Sequence, residues 1–292
     1  MVDLFAGQEA PDDALVVVQG AGWRPPLFVV HNGFGEHFFA RYLAAALGEE
    51  QPVFAVRLPR APVQSDTALS DLARRYVSAV RRAQPAGPYY LFGDCFGGIV
   101  AFEMAVQLRA GGHDVALLAA FDIVAPSLVS GFDLSPEIGK RLEAPPTFVA
   151  RLRADTVRSV RGGARQAVGD GIRAVAHGWR RVIPMLRWRL SSAERARRRR
   201  EAERKLQIVS LMRYFGSYAP TRKFDGSTLL LFAKDNGFWG IDESDLGWSR
   251  DLTGEVRHAH MNCDHAAIET IRSVMGEIAN EVRLAIDASI GV

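Results

Sequence analysis

At 292 residues the chain approaches the size at which a single hydrophobic core stops growing, and 48% apolar with 24% charged residues is the composition of a globular protein, which excludes a fibrous or low-complexity chain. Two cysteines, Cys95 and Cys263, exclude a disulfide framework, and no Cys/His spacing reads as a zinc site. The net charge of +3 is unevenly spread: residues 151–205 hold 17 Lys and Arg against 5 Asp and Glu, a basic insert of +12 in a body of −9.

No stretch approaches the roughly 20 apolar residues of a membrane span. Met1–Phe5 lacks the basic start and apolar run of a signal peptide, so the cytoplasm is the expected location. Met1 and the short lead-in favour a free-standing protein over an excised domain.

The first elements alternate. Leu15–Gln19 and Leu27–Val30 are short apolar runs bounded by Gly and Pro, hence strands. Phe38–Leu47 has helical apolar spacing and stops at Gly48. Val53–Val56 is a third strand of the buried type, and Leu69–Ala83 is an amphipathic helix with Arg74, Arg75, Arg81 and Arg82 outward. Tyr89–Phe92 predicts a strand, Ile99–Leu108 a helix stopped by Gly111-Gly112, and Val115–Phe121 a further strand ending at Asp122. Strands alternating with helices imply a mostly parallel sheet, with ligand chemistry at the carboxyl ends of its strands.

From about Ala125 to Asp225 no strand is predicted. The stretch is helical and arginine-rich, and an insertion of this length between two strands reads as a lid. The sheet resumes at Thr228–Phe232, and the chain passes His258, His260 and His265 before a last helix, Ile268–Ile286. The expected domains are therefore an α/β core of residues 1–124 and 226–292 and a helical, Arg-rich lid of residues 125–225.

Between one strand and one helix stands Gly93-Asp94-Cys95-Phe96-Gly97-Gly98. This is the context of a nucleophile elbow, G-x-S-x-G, with cysteine in place of serine. A nucleophile on so tight a turn needs neighbours without side chains. Cys95 then needs a base to take its proton and an acid to hold that base, in the chain order nucleophile, acid, histidine. His265 is the expected base, because it lies in a loop-like cluster just before a helix. His258 and His260, two apart, read as alternating residues of a strand, and His31 and His37 as packing or capping residues. Asp122 is the expected acid, since its strand neighbours the elbow strand; Asp235, after the next strand, stays open as the alternative. Two backbone amides should form an oxyanion hole, that of Phe96 directly after the nucleophile and that of Gly33 in the loop His31-Asn32-Gly33-Phe34-Gly35. Cys263, two residues from His265, reads as a buried small residue or as an oxidation partner of Cys95.

These residues resemble the thioesterase domains that end non-ribosomal peptide and polyketide synthases. The likeness rests on Pro26–His31, Gly87–Gly93, the elbow helix Gly97–Ala105, Tyr218-Ala219-Pro220, Gly247-Trp248 and Asp264-His265. The resemblance implies an α/β-hydrolase fold, a mostly parallel central sheet flanked by helices with an inserted helical lid. It implies a substrate, an acyl or peptidyl group on the phosphopantetheine arm of a carrier protein, and no cofactor or metal of the enzyme's own. Carriers of these pathways tend to be acidic, which suits the basic insert. Arg187, Arg189, Arg197, Arg198, Arg199 and Arg200 are the candidate contacts, with a solvated helix surface as the alternative reading. No nucleic-acid-binding module accompanies the basic stretch. The departure from the family is Cys95: it holds the acyl group as an activated thioester, which suits cyclisation or transfer to another carrier as well as hydrolysis. A non-catalytic carrier-binding protein is the third reading.

Overall fold

The structure, a computed structural model, describes residues 14–58, 68–131, 216–234, 244–263 and 272–291, all within one compact unit made of residues 1–133 and 210–292. Its centre is a seven-stranded sheet: β1 (Leu15–Gln19), β2 (Leu27–Val30), β3 (Val53–Val56), β4 (Tyr89–Asp94), β5 (Val115–Phe121), β6 (Thr228–Ala233) and β7 (Val256–Met261). The spatial order is β1-β3-β2-β4-β5-β6-β7. β1 runs antiparallel on β3, and every other neighbouring pair is parallel.

The inner strands are apolar end to end because both faces of the sheet are covered. β2, β3, β4 and β6 are buried at every position. Helices α1 (Phe39–Leu47) and α4 (Arg272–Ile290) pack on one face, over a core that includes Leu27, Val29, Tyr90, Phe92, Leu229 and Leu231. Period-two alternation turns Phe28, Phe54 and Leu91 to the other face, that of the contacting pair α2 (Leu69–Ala83) and α3 (Phe96–Ala110). At the β7 edge the burial falls away, and His258 and His260 are exposed, as their spacing by two predicts. Their rings lie 5.7 and 5.5 Å from that of buried Phe232 on β6.

α3 is apolar on every side and almost wholly buried, the signature of a central helix rather than a surface one. Part of what covers it is the segment before β6. The Tyr218 hydroxyl donates to Glu103 Oε2 at 2.5 Å, and Gln107 Nε2 donates to Glu103 Oε1 at 2.8 Å and to Ser70 O on α2. A carboxylate buried on a core helix is thereby satisfied on both oxygens. Of the stretch assigned to the lid, residues 132–215 lie outside the described residues. The remainder packs on the body through Tyr218, through Phe224 bridging to Leu252, and through the Ser127 amide on Asp251 Oδ2.

The strand order places the site. From β2 the chain crosses through α1 to β3 on one side, and from β3 through α2 to β4 on the other. The carboxyl ends of β2 and β4 therefore flank a topological switch point, where parallel sheets open a crevice. The loop after β2 carries Gly33, and the turn after β4 carries Cys95. Among the described residues no helix is long and apolar enough to cross a membrane.

Candidate active site

Cys95 occupies the turn between β4 and α3 with φ 50° and ψ −123°, a conformation that L-residues rarely adopt. Two hydrogen bonds hold it there. Its amide donates to Phe121 O at 2.9 Å, extending the β4–β5 ladder, and its carbonyl accepts from Gly98 N at 2.8 Å, opening α3. The thiol is half-buried and not in a disulfide. The positive end of α3 begins at the next residue, so negative charge developing on Cys95 is stabilised there.

The elbow glycines are required by contact, not by composition. A Cβ on Gly93 would lie 2.1 Å from Gly97 O, and one on Gly97 would lie 2.5 Å from His31 O and 2.8 Å from Val30 O. The start of α3 thus rests directly on the carbonyls that end β2. Gly97→Ala is expected to lower stability by about 1–3 kcal/mol through forced separation of these backbones. A urea midpoint equal to wild type would contradict that contact.

Asp122 directly follows β5, and it too has a positive φ, 44°. Among the described residues only Cys95, Asp122 and Leu246 do so without being glycine, and two of the three are the nucleophile and acid expected from the sequence. Asp122 is 1% exposed; its amide donates to Leu231 O at 2.8 Å, and its Oδ1 accepts from Ala233 N at 3.1 Å. The carboxylate is therefore pinned over the end of β6. The residues that follow are clamped from behind: Trp248 Nε1 donates to Ile123 O at 2.7 Å and Ala125 N to Leu246 O at 2.9 Å. Buried Trp248, edge-on to Phe102, ties this clamp to α3.

The ends of β6 and β7 are also joined, by Lys234 N donating to Cys263 O at 2.9 Å. Asp235 follows Lys234 in the sequence, and Asp264-His265 follows Cys263. Both the expected base, His265, and the alternative acid, Asp235, lie outside the described residues, as do Arg187, Arg189 and Arg197–Arg200. Cys263 itself is buried in the core beneath α4, with Met261, Val274 and Ile278.

The loop after β2 is shaped by Asn32. Its Oδ1 accepts from Phe34 N at 2.9 Å and Glu36 N at 3.0 Å, and its carbonyl accepts from Gly35 N at 2.9 Å. Those bonds use the amides of Phe34, Gly35 and Glu36; that of Gly33 is not among them. In the sequence this loop reads as a glycine loop, yet asparagine is the residue that folds back on its own turn and so carries the signal.

His31 is fully buried, and both ring nitrogens are bonded. Nδ1 lies 2.7 Å from Asn32 O, and Nε2 2.7 Å from the hydroxyl of Tyr76 on α2. A carbonyl only accepts, so Nδ1 carries the proton and Nε2 accepts from Tyr76. Tyr76 has no local sequence signal for this role, because the contact spans 45 residues. Burial pushes His31 down to about 4, so it is neutral at physiological pH. An unfolded histidine titrates near 6.5. The stabilisation from neutral His31 is therefore complete above about pH 7 and lost as pH falls through 6.5 towards 4. Across that window unfolding free energy is expected to drop by up to about 3 kcal/mol. A His31→Gln variant should show a flatter profile; equal slopes for variant and wild type would refute the assignment.

A family model of thioesterase domains matches residues 25–282 of the chain. Over 121 residues, 40% of the chain, it is 37% identical to malpinin synthetase of Mortierella alpina. Over 115 residues, 38% of the chain, it is 36% identical to an atromentin synthetase of Serpula lacrymans var. lacrymans. The chain spans 2% and 12% of the lengths of these two relatives. Among solved structures, the NocB thioesterase domain in covalent complex with a fluorophosphonate nocardicin G analogue superposes with a TM-score of 0.58 at 20% identity, over 93% of this chain and 98% of that one. The surfactin-cyclising thioesterase domain SrfTE gives 0.56 at 18% identity, over 94% and 96%. At these identities the likeness is one of fold, the α/β-hydrolase architecture described above.

Proposed function

The chain belongs to the thioesterase domain family, and on that premise we propose that it takes an acyl or peptidyl group from the phosphopantetheine thiol of a carrier protein onto Cys95. The observation that carries this reading is the strained Cys95 elbow at the switch point, one strand away from buried Asp122. Cys95 Sγ attacks the thioester carbonyl while His265 takes its proton. The amides of Gly33 and Phe96 hold the tetrahedral oxyanion. The C–S bond to the carrier breaks, and His265 returns the proton to the departing thiol. Asp122 orients His265 and stabilises its charged form. In the second half, His265 removes a proton from water, or from a hydroxyl or amine of the acyl chain, as that oxygen or nitrogen attacks the acyl carbonyl; the C–S bond to Cys95 breaks, His265 returns the proton to Sγ, and the acyl group leaves as acid or ring.

One residue favours a second reading. With cysteine the intermediate is a thioester, so the first step exchanges like for like and the acyl group stays activated. Carrier-to-carrier transfer then needs no further energy source. Relatives named as synthetases fit a pathway with such carriers, and an acidic carrier would complement the basic residues 151–205. The deciding experiment incubates the protein with an acyl-loaded carrier and a second, unloaded carrier. An acyl adduct on Cys95 by intact mass supports the covalent route. Free acid or ring supports release, label on the second carrier supports transfer, and absence of both adduct and turnover would leave only carrier binding.

A further inference from the structure

His31 and Tyr76 form a buried polar pair beside the candidate site that the scheme above does not use. They connect α2 to the loop after β2, at the peptide that carries the Gly33 amide and at the ring of Phe96. Tyr76 is fully buried and donates to His31 Nε2 at 2.7 Å. His31 Nδ1 donates at 2.7 Å to the carbonyl of Asn32, which also accepts from Gly35 N. That carbonyl belongs to the same peptide unit as the Gly33 N–H. In a trans peptide the two point in opposite directions, so holding the oxygen against His31 directs the Gly33 N–H away from it. The His31 ring also lies over that of Phe96, 6.2 Å between centroids and 21° from parallel, and edge-on to Tyr76 at 5.7 Å. Its carbonyl is the contact surface for Gly97.

We propose that Tyr76 and His31 are positioning residues that lock the Asn32–Gly33 peptide in the orientation required of an oxyanion donor. The Asn32 side chain shapes the loop through other amides, Phe34 and Glu36. The turn therefore survives without His31, and the Asn32–Gly33 peptide then keeps only one of its two anchors, the Gly35 N–H. The Asn32 carbonyl fixes the imidazole proton on Nδ1, and the Tyr76 O–H, donating to Nε2, is the second tether that holds the ring in place. Without that hydroxyl the ring keeps only its bond to Asn32 O, and the anchor loosens.

This inference rests on the acyl-transfer reading, and its test separates the two. Wild type, Tyr76→Phe, His31→Leu and His31→Asn are assayed with an acyl thioester and with the matching dithioester, whose C=S is a poor hydrogen-bond acceptor. For Tyr76→Phe and His31→Leu, kcat on the oxygen substrate is expected to fall about 10- to 100-fold, short of or equal to loss of one whole donor. KM should stay within about twofold, and kcat on the dithioester within about threefold. His31→Asn, which keeps a donor near the Nδ1 position, should recover most of the oxygen-substrate rate. Parallel losses on both substrates, or no loss on either, overturn the relay while the acyl-transfer reading stands. A wild type that acylates with neither substrate overturns both. If His31→Leu does not fold, Tyr76→Phe, an isosteric change, carries the same comparison.

Discussion

Cys95→Ala is expected to lower turnover of a carrier-bound thioester by at least about 10⁴-fold, and to remove the acyl adduct seen by intact mass. Loss of a nucleophile from a triad that works as a unit costs about as much as loss of the whole triad. Stability should change little, because the thiol is half-buried and the substitution leaves the backbone bonds to Phe121 and Gly98 in place. An Ala variant that still turns over within tenfold of wild type would mean that the elbow cysteine is not the nucleophile. Cys95→Ser carries the argument further. Serine would hold the acyl group as an oxoester, from which transfer back to a carrier thiol is uphill while hydrolysis remains downhill. If the natural reaction is carrier-to-carrier transfer, the Ser variant should lose label on the second carrier yet keep slow formation of free acid. A Ser variant that shuttles as well as wild type would argue against cysteine having been selected for an activated intermediate.

The second large effect is expected at Asp122. Asp122→Asn should lower kcat about 10³- to 10⁴-fold with little change in KM, as when a triad carboxylate is neutralised and its histidine takes the wrong tautomer. Asparagine is the right probe for two physical reasons. It tolerates the positive φ of this position better than residues with an unfunctionalised Cβ chain. Its amide oxygen can also still accept from Ala233 N, so the end of β6 keeps its tie. The same change at Asp235 should leave kcat within about fivefold. If Asp235→Asn alone abolishes activity, the acid belongs after β6, and the buried Asp122 carboxylate is a clip between two strands.

Much of the fold was legible because its signals are local. β1, β2, β3 and β5 occupy the residues expected from short apolar runs, and α2 those expected from its amphipathic period. The runs of β2, β3 and β5 are uninterrupted because those strands are buried almost throughout, while β1, at the sheet edge, is mostly half-buried; Gly and Pro mark the ends of such runs. The elbow was legible for the same reason, since strand, glycine turn and helix follow within a few residues. α3 begins at Phe96, earlier than the apolar pattern from Ile99 implied. Gly97 and Gly98 lower helix propensity, but their backbones are drawn into the first turn by Cys95 O and by packing against His31 and Ile123. His31 was read as a packing or capping residue, and its role emerges only with Tyr76.

By itself, the sequence determined the order and type of the strands and helices among the described residues, the tight turn at Cys95 and the positions of the glycines that permit it. These follow from nearest-neighbour chemistry: side-chain size, backbone freedom and hydrophobic period. Tertiary structure decided the rest. It put β4 between β2 and β5, which sets the Gly33 loop and the Cys95 elbow at the carboxyl ends of neighbouring strands. It laid the Asp122 carboxylate on the Ala233 amide, 111 residues away, and joined Tyr76 to His31 across 45. Each of these pairings is a buried polar group finding the partner that its burial makes obligatory, and only the closed chain can say which partner is near.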